Sequence, residues 1–491
     1  MEKNLSKSKY LNGLQCPKLL WIAVNKKELI PPADKCTQFT FDQGYLVGEL
    51  AKKLFPKGIN ISTEDFTENL KQSKELLKKR KPLFEVAFSI NRIYSRADVL
   101  NPVGKDEWDL IEVKSSSDFE GHKKEYIQDI SFQKYCYERA GIKIRKCFLM
   151  HINKEYVKKG EIEPKKLFVK KELTQEANEE MKSTQERIDE MLEVISSKKR
   201  PEVKIGKRCN NPHLCPLIEE CWKFLPVNSV FNLYGKGKTC EDLFEKGVIA
   251  IKDIPEDYVL NDKQGIQRKC EKTGKPYVQK EQIKQFLKTL HYPLYFLDFE
   301  TFGTAVPLYD GIKPWQNVPF QFSLHVVKKK KPEHFHFLAS GKSDPRKELL
   351  AELKKMIGSK GSIIAYNASF EKGVLEELAK SYPGSKKWIK NALSRIVDLI
   401  IPFRNFYYHH PKQQGSASLK KVLPALVRKD YADLEVSGGM DASLAFLDLT
   451  FEKIPEKDRE RLRKDLEEYC ERDTEGMIWI VEKLIELSKD D

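Results

Sequence analysis

The sequence predicts an α/β fold of the α+β kind, in two halves joined by a helical connector. Three observations carry that expectation. Apolar runs of strand length are interleaved with stretches of helical periodicity, so neither an all-helical nor an all-strand chain fits. The mixed pattern stops at the basic, proline-containing stretch Lys198-Lys199-Arg200-Pro201 and restarts after Tyr292. At about 100–200 residues per domain, 491 residues allow two to four domains. The expected division is residues 1–227, a connector over 228–290, and residues 291–491.

In chain order, residues 41–55 carry apolar positions at helical spacing, and residues 83–100 and 108–113 alternate like strands. Residues 126–140 predict a helix and 145–152 the last strand of the first core. Thr174–Ser196 predicts a helix with Thr174 as its N-cap. The connector is lysine-rich and mostly helical. Its stretches Tyr234-Gly235-Lys236-Gly237-Lys238 and 247–254 suggest a helix–hairpin–helix that would turn backbone N–H groups toward a phosphate; an ordinary helix–turn–helix spacer is the plainer reading. Strands are then expected at 294–297, 320–327, 334–338 and 363–366, and a long amphipathic helix over 459–487.

Hydrophobic residues make up 40% of the chain and aromatics 10%, enough to build cores and to exclude wholesale disorder. Lys and Arg outnumber Asp and Glu by 87 to 73, a surplus of +14 that favours a polyanionic partner, nucleic acid being the commonest. No apolar run approaches the ~18–20 residues of a membrane span, and no apolar segment follows the first residues, so a soluble, cytoplasmic protein without a membrane partner is expected. Ten cysteines in such a chain read first as metal or cluster ligands rather than disulfides.

Three groups of residues carry chemistry. Asp98 sits on one expected strand, and Glu112-Val113-Lys114 follows on the next, where Glu112 and Lys114 share a face. Two carboxylates can hold Mg²⁺, and a lysine beside them can act on the attacking water or on phosphate charge. Gln133 and Tyr137 lie one turn apart on the following helix. The second group is Cys209, Cys215 and Cys221, which need a fourth ligand for tetrahedral Zn²⁺ or a 4Fe–4S cluster; His213 and the distant Cys16 both qualify. In the third, Asp298 and Glu300 share a face at the end of an apolar run, Glu371 begins a helix, and Tyr469 and Asp473 are i, i+4 neighbours on the last helix, with Asp398 in reserve.

Asp, then Glu-x-Lys, then Gln-x-x-x-Tyr resembles the PD-(D/E)XK nuclease superfamily, specifically the RecB-like branch that includes CRISPR-adaptation and AddB-type nucleases. The resemblance implies a restriction-endonuclease-like core with Asp98 and Glu112 as metal ligands, Lys114 as the catalytic lysine, and Gln133 and Tyr137 on a DNA-contacting helix. Where that branch often carries a metal-ligand histidine in Gly-x-x-x-His, this chain has Gly44 followed by Gly48 and then Glu49, a substitute donor. The same branch holds a 4Fe–4S cluster with one early and three late cysteines, which implies Cys16, Cys209, Cys215 and Cys221; Zn²⁺ is the alternative. The third group resembles the tyrosine-bearing DEDD exonucleases of RNase H-like fold. This implies a mixed sheet flanked by helices, Mg²⁺ or Mn²⁺ held by Asp298, Glu300, Glu371 and Asp473, and a water-orienting Tyr469. Glu371 stands where most members carry Asp. The expected activity is phosphodiester hydrolysis on DNA rather than RNA. An RNA-processing exonuclease using the C-terminal half, or a nucleic-acid-binding scaffold with decayed sites, are the alternatives.

Overall fold

The computed structural model describes residues 3–235, 237–328, 331–431, 434–436 and 438–489. Lys236, part of the glycine–lysine stretch in the connector, lies outside them. The chain forms two compact units: residues 1–223 with Thr304–Gln316, and residues 224–303 with 317–491. The connector residues therefore belong to the second unit, and a short later segment belongs to the first.

The first unit runs β1 (Leu5–Ser6), α1 (Lys7–Gln15), α2 (Pro17–Asn25), α3 (Lys35–Lys52), β2 (Ile59–Asn60), α4 (Phe66–Leu76), β3 (Leu83–Ile90), β4 (Ile93–Val103), β5 (Glu107–Lys114), α5 (Phe119–Arg139), β6 (Lys143–Ile152), α6 (Pro164–Leu167), β7 (Phe168–Glu172), α7 (Thr174–Ser196) and α8 (Ile218–Trp222). One mixed sheet has the order β2-β3-β4-β5-β6-β7, with β1 paired to β4. β3, β4 and β5 form an antiparallel meander, and α5 then carries the chain over to β6, parallel to β5. β5 is buried without a break from Trp108 to Glu112 because both of its faces are covered. Leu110 lies in a core with Tyr10, Phe132, Tyr137 and Ile188 from α1, α5 and α7. Its neighbour Ile111 lies in a second core with Val47 and Ala51 of α3 and with Ala305 and Val306. β6 is not the last strand, since β7 pairs with it. Thr174 is not the N-cap of α7. Leu173 holds that position, and the Thr174 hydroxyl instead accepts the Cys147 N–H at 3.0 Å.

The second unit opens with α9 (Lys238–Glu245), α10 (Asp262–Thr273), β8 (Tyr277–Val278) and α11 (Lys280–Leu287). After Gly247 comes only a 3-10 turn at Ile251–Asp253, so the second helix of a helix–hairpin–helix is missing where the sequence suggested it. The unit continues through β9 (Leu294–Phe302), β10 (Val318–Val327), β11 (Pro332–Leu338), α12 (Arg346–Met356), β12 (Ser362–Ala365), α13 (Ser369–Ser381), α14 (Lys386–Leu393), β13 (Ile396–Asp398), α15 (Ile401–Arg404), β14 (Tyr408–His409), α16 (Leu419–Val427), α17 (Gly439–Phe451) and α18 (Glu456–Leu487). Its sheet has the order β11-β10-β9-β12-β13, antiparallel among the first three strands and parallel among the last three. Alternation along β9 decides where the chemistry goes. Tyr295, Leu297 and Phe299 enter a core with α12, α13 and α14. Asp298 and Glu300 therefore turn to the other face, where α17 and α18 pack. β8 pairs with β14, tying the connector into this unit. No described helix is long and apolar enough to cross a membrane.

Candidate active centres and a four-thiol cluster

In the first unit, the meander sets Asp98 and Glu112 on adjacent strands, and α5 lies over them. Asp98 accepts the Val113 N–H at 2.7 Å. Glu112 is buried and accepts the ammonium groups of Lys7 and Lys114 on one oxygen, each at 2.7 Å, and the Gln133 amide on the other, also at 2.7 Å. Lys114 also reaches Asp129 at 2.7 Å, and Gln133 donates to Asp129 at 2.9 Å. Burial opposes the Glu112 charge, but Lys114 and Lys7 outweigh it and hold this carboxyl well below its usual range. Burial and the Glu112 charge push Asp98 up to about 7. The set thus holds three acids against two lysines, with Asp98 bearing the imbalance. A cation at Asp98 would correct it, and Glu49 lines the same groove. In that groove Phe41 and Tyr45, i and i+4 on α3, are 60% and 74% exposed.

The two helix residues inferred from the resemblance are held in the interior rather than at the surface. Gln133 is fully buried as a brace between Glu112 and Asp129. Tyr137 is fully buried too; its hydroxyl accepts the Ala97 N–H at 2.9 Å and donates to the Val86 carbonyl at 2.5 Å. It fills the ladder between β3 and β4 where Glu85 takes φ +57°. Tyr137 therefore positions the strand that carries Asp98, and stacking against a nucleic-acid strand is not open to it.

Cys16, Cys209, Cys215 and Cys221 line one cavity, and all four are free thiols. Cys16 sits at the junction of α1 and α2, packed with Leu19, Ile22 and Leu217. The Cys215 thiol is raised by burial and by its three sulfur neighbours. His213, the other fourth-ligand candidate, bonds Glu125 at 2.9 Å instead. The donor set fits a tetrathiolate-bound metal or cluster.

In the second unit, Asp298 and Glu300 of β9, Glu371 of the first turn of α13, and Asp473 of α18 converge. Burial, then the Asp473, Glu300 and Glu371 charges, raise Asp298 well above its usual range; burial and Asp473 do the same to Glu300. Glu371 is pushed up to about 8, chiefly by burial, and its Oε2 is buried with no hydrogen-bond partner. Asp473 is raised by burial to about 6, less than its neighbours because the Tyr431 hydroxyl, Lys420 and the Tyr469 hydroxyl favour its charge. Lys420 lies over the Tyr469 ring, 5.2 Å from its centroid. Cys470 donates to Asp298 at 3.5 Å. Asp398 lies near enough for its charge to raise Glu371, while its carboxylate caps the Asn367 and Ile400 amides at 3.0 and 3.1 Å. A buried set this rich in acids and poor in bases suits divalent cations.

Residues 295–418 match the model of a domain of unknown function, DUF2779. No curated protein and no solved structure matches the chain. The DUF2779 segment takes in Asp298, Glu300 and Glu371 and stops short of Lys420, Tyr431, Tyr469 and Asp473, so it covers only part of this centre.

Sequence reasoning missed Lys7, Asp129, Tyr431 and Lys420. Asp129 had a signal, because Asp129, Gln133 and Tyr137 recur every fourth residue along one face of α5. Lys7 had none. It arrives because β1 pairs with β4 and starts α1 beside the meander.

Proposed function

We propose that the chain is a metal-dependent nuclease with two carboxylate centres: a RecB-like PD-(D/E)XK centre in the first unit and a DEDD-type exonuclease centre in the second. Both would hydrolyse phosphodiester bonds in DNA, in repair, recombination or defence. The observation that carries this reading is the convergence of Asp298, Glu300, Glu371 and Asp473 in one buried site, with Glu371 Oε2 left without a partner. Burying charge without compensation is costly, and Mg²⁺ or Mn²⁺ would supply it. The mixed sheet, three antiparallel strands continued by two parallel ones, is of the kind the resemblance implies.

When bound, the metal ions would stabilise phosphate charge and lower the pKa of water. The chain's own groups do the rest. Tyr469, hydrogen-bonded to Asp473, is held where it can orient a water. Lys420 adds the positive charge that a phosphate attracts. In the first unit, Lys114 is fixed between Glu112 and Asp129, so its ammonium stays protonated and aimed. It is suited to stabilising developing charge rather than to accepting a proton.

The four thiols are proposed to hold 4Fe–4S. Four thiols lining one cavity are a donor set that both a 4Fe–4S cluster and Zn²⁺ take. The deciding experiment is a Mg²⁺- and Mn²⁺-dependent cleavage panel on single- and double-stranded DNA and RNA. Lys114→Ala should abolish one DNA cleavage activity and Asp298→Ala release of terminal nucleotides. Cleavage of RNA alone would replace the reading with an RNA exonuclease, and loss of one shared activity in both variants would reduce two centres to one.

A further inference from the structure

A second histidine-rich group lies on the same face of the second unit's sheet, one and two strands away from Asp298. His325 of β10 and His334 of β11 are directly paired across the strands, and their rings stack with centroids 4.4 Å apart. Glu471 of α18 approaches His334 Nδ1 at 3.3 Å. One donor atom from each of His325, His334 and Glu471 lies within 4.8 Å of the other two.

One nitrogen of each ring is engaged away from the group: His325 Nδ1 lies 2.8 Å from the Thr474 hydroxyl and His334 Nε2 3.0 Å from Ser323 Oγ, with the two hydroxyls 2.7 Å apart. The Thr474 hydroxyl donates to the Glu471 carbonyl at 3.0 Å, which lets Ser323 and His325 donate to it and His334 donate to Ser323. In that arrangement His325 Nε2 and His334 Nδ1 carry lone pairs, and the Glu471 carboxylate is a third acceptor beside them. Three acceptors of this kind suit a cation.

We propose that His325, His334 and Glu471 form a transition-metal site of the zinc class, separate from the carboxylate centre. Two imidazoles and a carboxylate are a set that zinc takes with a fourth position left to water. A nitrogen and an oxygen each about 2.0–2.1 Å from a tetrahedral zinc lie roughly 3.3–3.4 Å apart, the spacing of His334 and Glu471. Thr474 and Ser323 supply the outer hydrogen bonds that orient ligating histidines. The ion would pin α18 to β10 and β11 through Glu471, two residues before Asp473.

The test does not depend on nuclease activity. The full-length protein, stripped with chelator and kept in excess Mg²⁺ to fill the carboxylate centres, is titrated with Co²⁺ and then Zn²⁺ alongside Glu471→Gln. Glu471 is part-exposed, so this variant should fold; Thr474→Val is the second. Wild type should take up one more ion per chain than Glu471→Gln, with Co²⁺ d–d bands free of thiolate charge transfer, and Zn²⁺ should raise its melting temperature. Thr474→Val should weaken that ion by roughly 10–100-fold. Equal stoichiometry and affinity in wild type and Glu471→Gln would overturn the site, as would thiolate charge transfer on every ion bound. Loss of cleavage with the extra ion retained would leave it standing while removing the nuclease reading.

Discussion

Glu371 shows at the scale of one residue how the second unit's centre stores unfavourable charge. A carboxyl raised in the folded state binds its proton more tightly there than in the unfolded chain. Its contribution to stability is therefore complete below about pH 4, the unfolded value, and is lost as pH rises through the folded value. For Glu371 that window runs from about 4 to about 8. Metal-free Glu371→Gln should match wild type near pH 4 and become progressively more stable than it up to pH 8–9. Mn²⁺ should stabilise wild type and not the variant. Melting temperatures across pH, with and without Mn²⁺, check this, and a pH-independent difference would show that burial does not raise this carboxyl. Tyr137 makes the opposite point, a residue whose role is structural. Tyr137→Ala should cost ~3–5 kcal/mol of stability, as deletion of a buried aromatic does. Tyr137→Phe should cost about 1–3 kcal/mol, because it leaves the Val86 carbonyl and Ala97 amide unpartnered. Chemical denaturation measures both.

At the scale of elements, α3 and α18 carry most of the functional consequence. α3 exposes Phe41 and Tyr45 beside the Asp98 groove. Aromatic faces of this kind stack on bases at ~1–3 kcal/mol each. Phe41→Ala and Tyr45→Ala should each weaken single-stranded DNA binding in Ca²⁺ by about 5-fold or more with the salt slope unchanged, since no charge is removed; a changed slope would mean the helix had shifted. α18 was readable as a long amphipathic helix, and Tyr469 with Asp473 at i, i+4 pointed to its inner face. Its second set, Glu471 and Thr474, was not, because those residues acquire meaning only from β10 and β11 across the sheet. The strands of both cores were legible from apolar runs and alternation. β2 and β8, two residues each, and β7 were not, since pairing rather than pattern makes them strands. The order of carboxylates along the chain was legible, whereas Lys7 and Lys420 were invisible among so many surface lysines.

For the whole molecule, the four thiols bring the α1–α2 junction together with the segment from Cys209 through α8, which closes nearly the whole first unit on itself. If they hold 4Fe–4S, anaerobically purified protein should be brown, with broad absorption near ~400 nm and about four irons per chain. Cys16→Ala should lose the colour and lower the first unit's unfolding transition, and stoichiometric zinc without iron would replace the cluster. The surplus of +14 is tested by salt. With about five phosphate contacts, DNA affinity should fall roughly 10²-fold between 50 and 200 mM salt, and a flat response would make the charge mere surface solvation.

The segment Thr304–Gln316 belongs to the first unit although it leaves the ribosome roughly eighty residues after Lys223. At about 5–20 residues per second, the first unit waits roughly 4–16 s for Ala305 and Val306 to complete the core beside Val47 and Ile111. During that interval the core formed by Val47, Ala51, Ile111 and Tyr156 lacks the part that Ala305 and Val306 fill. A gene cut between the halves would make the wait permanent.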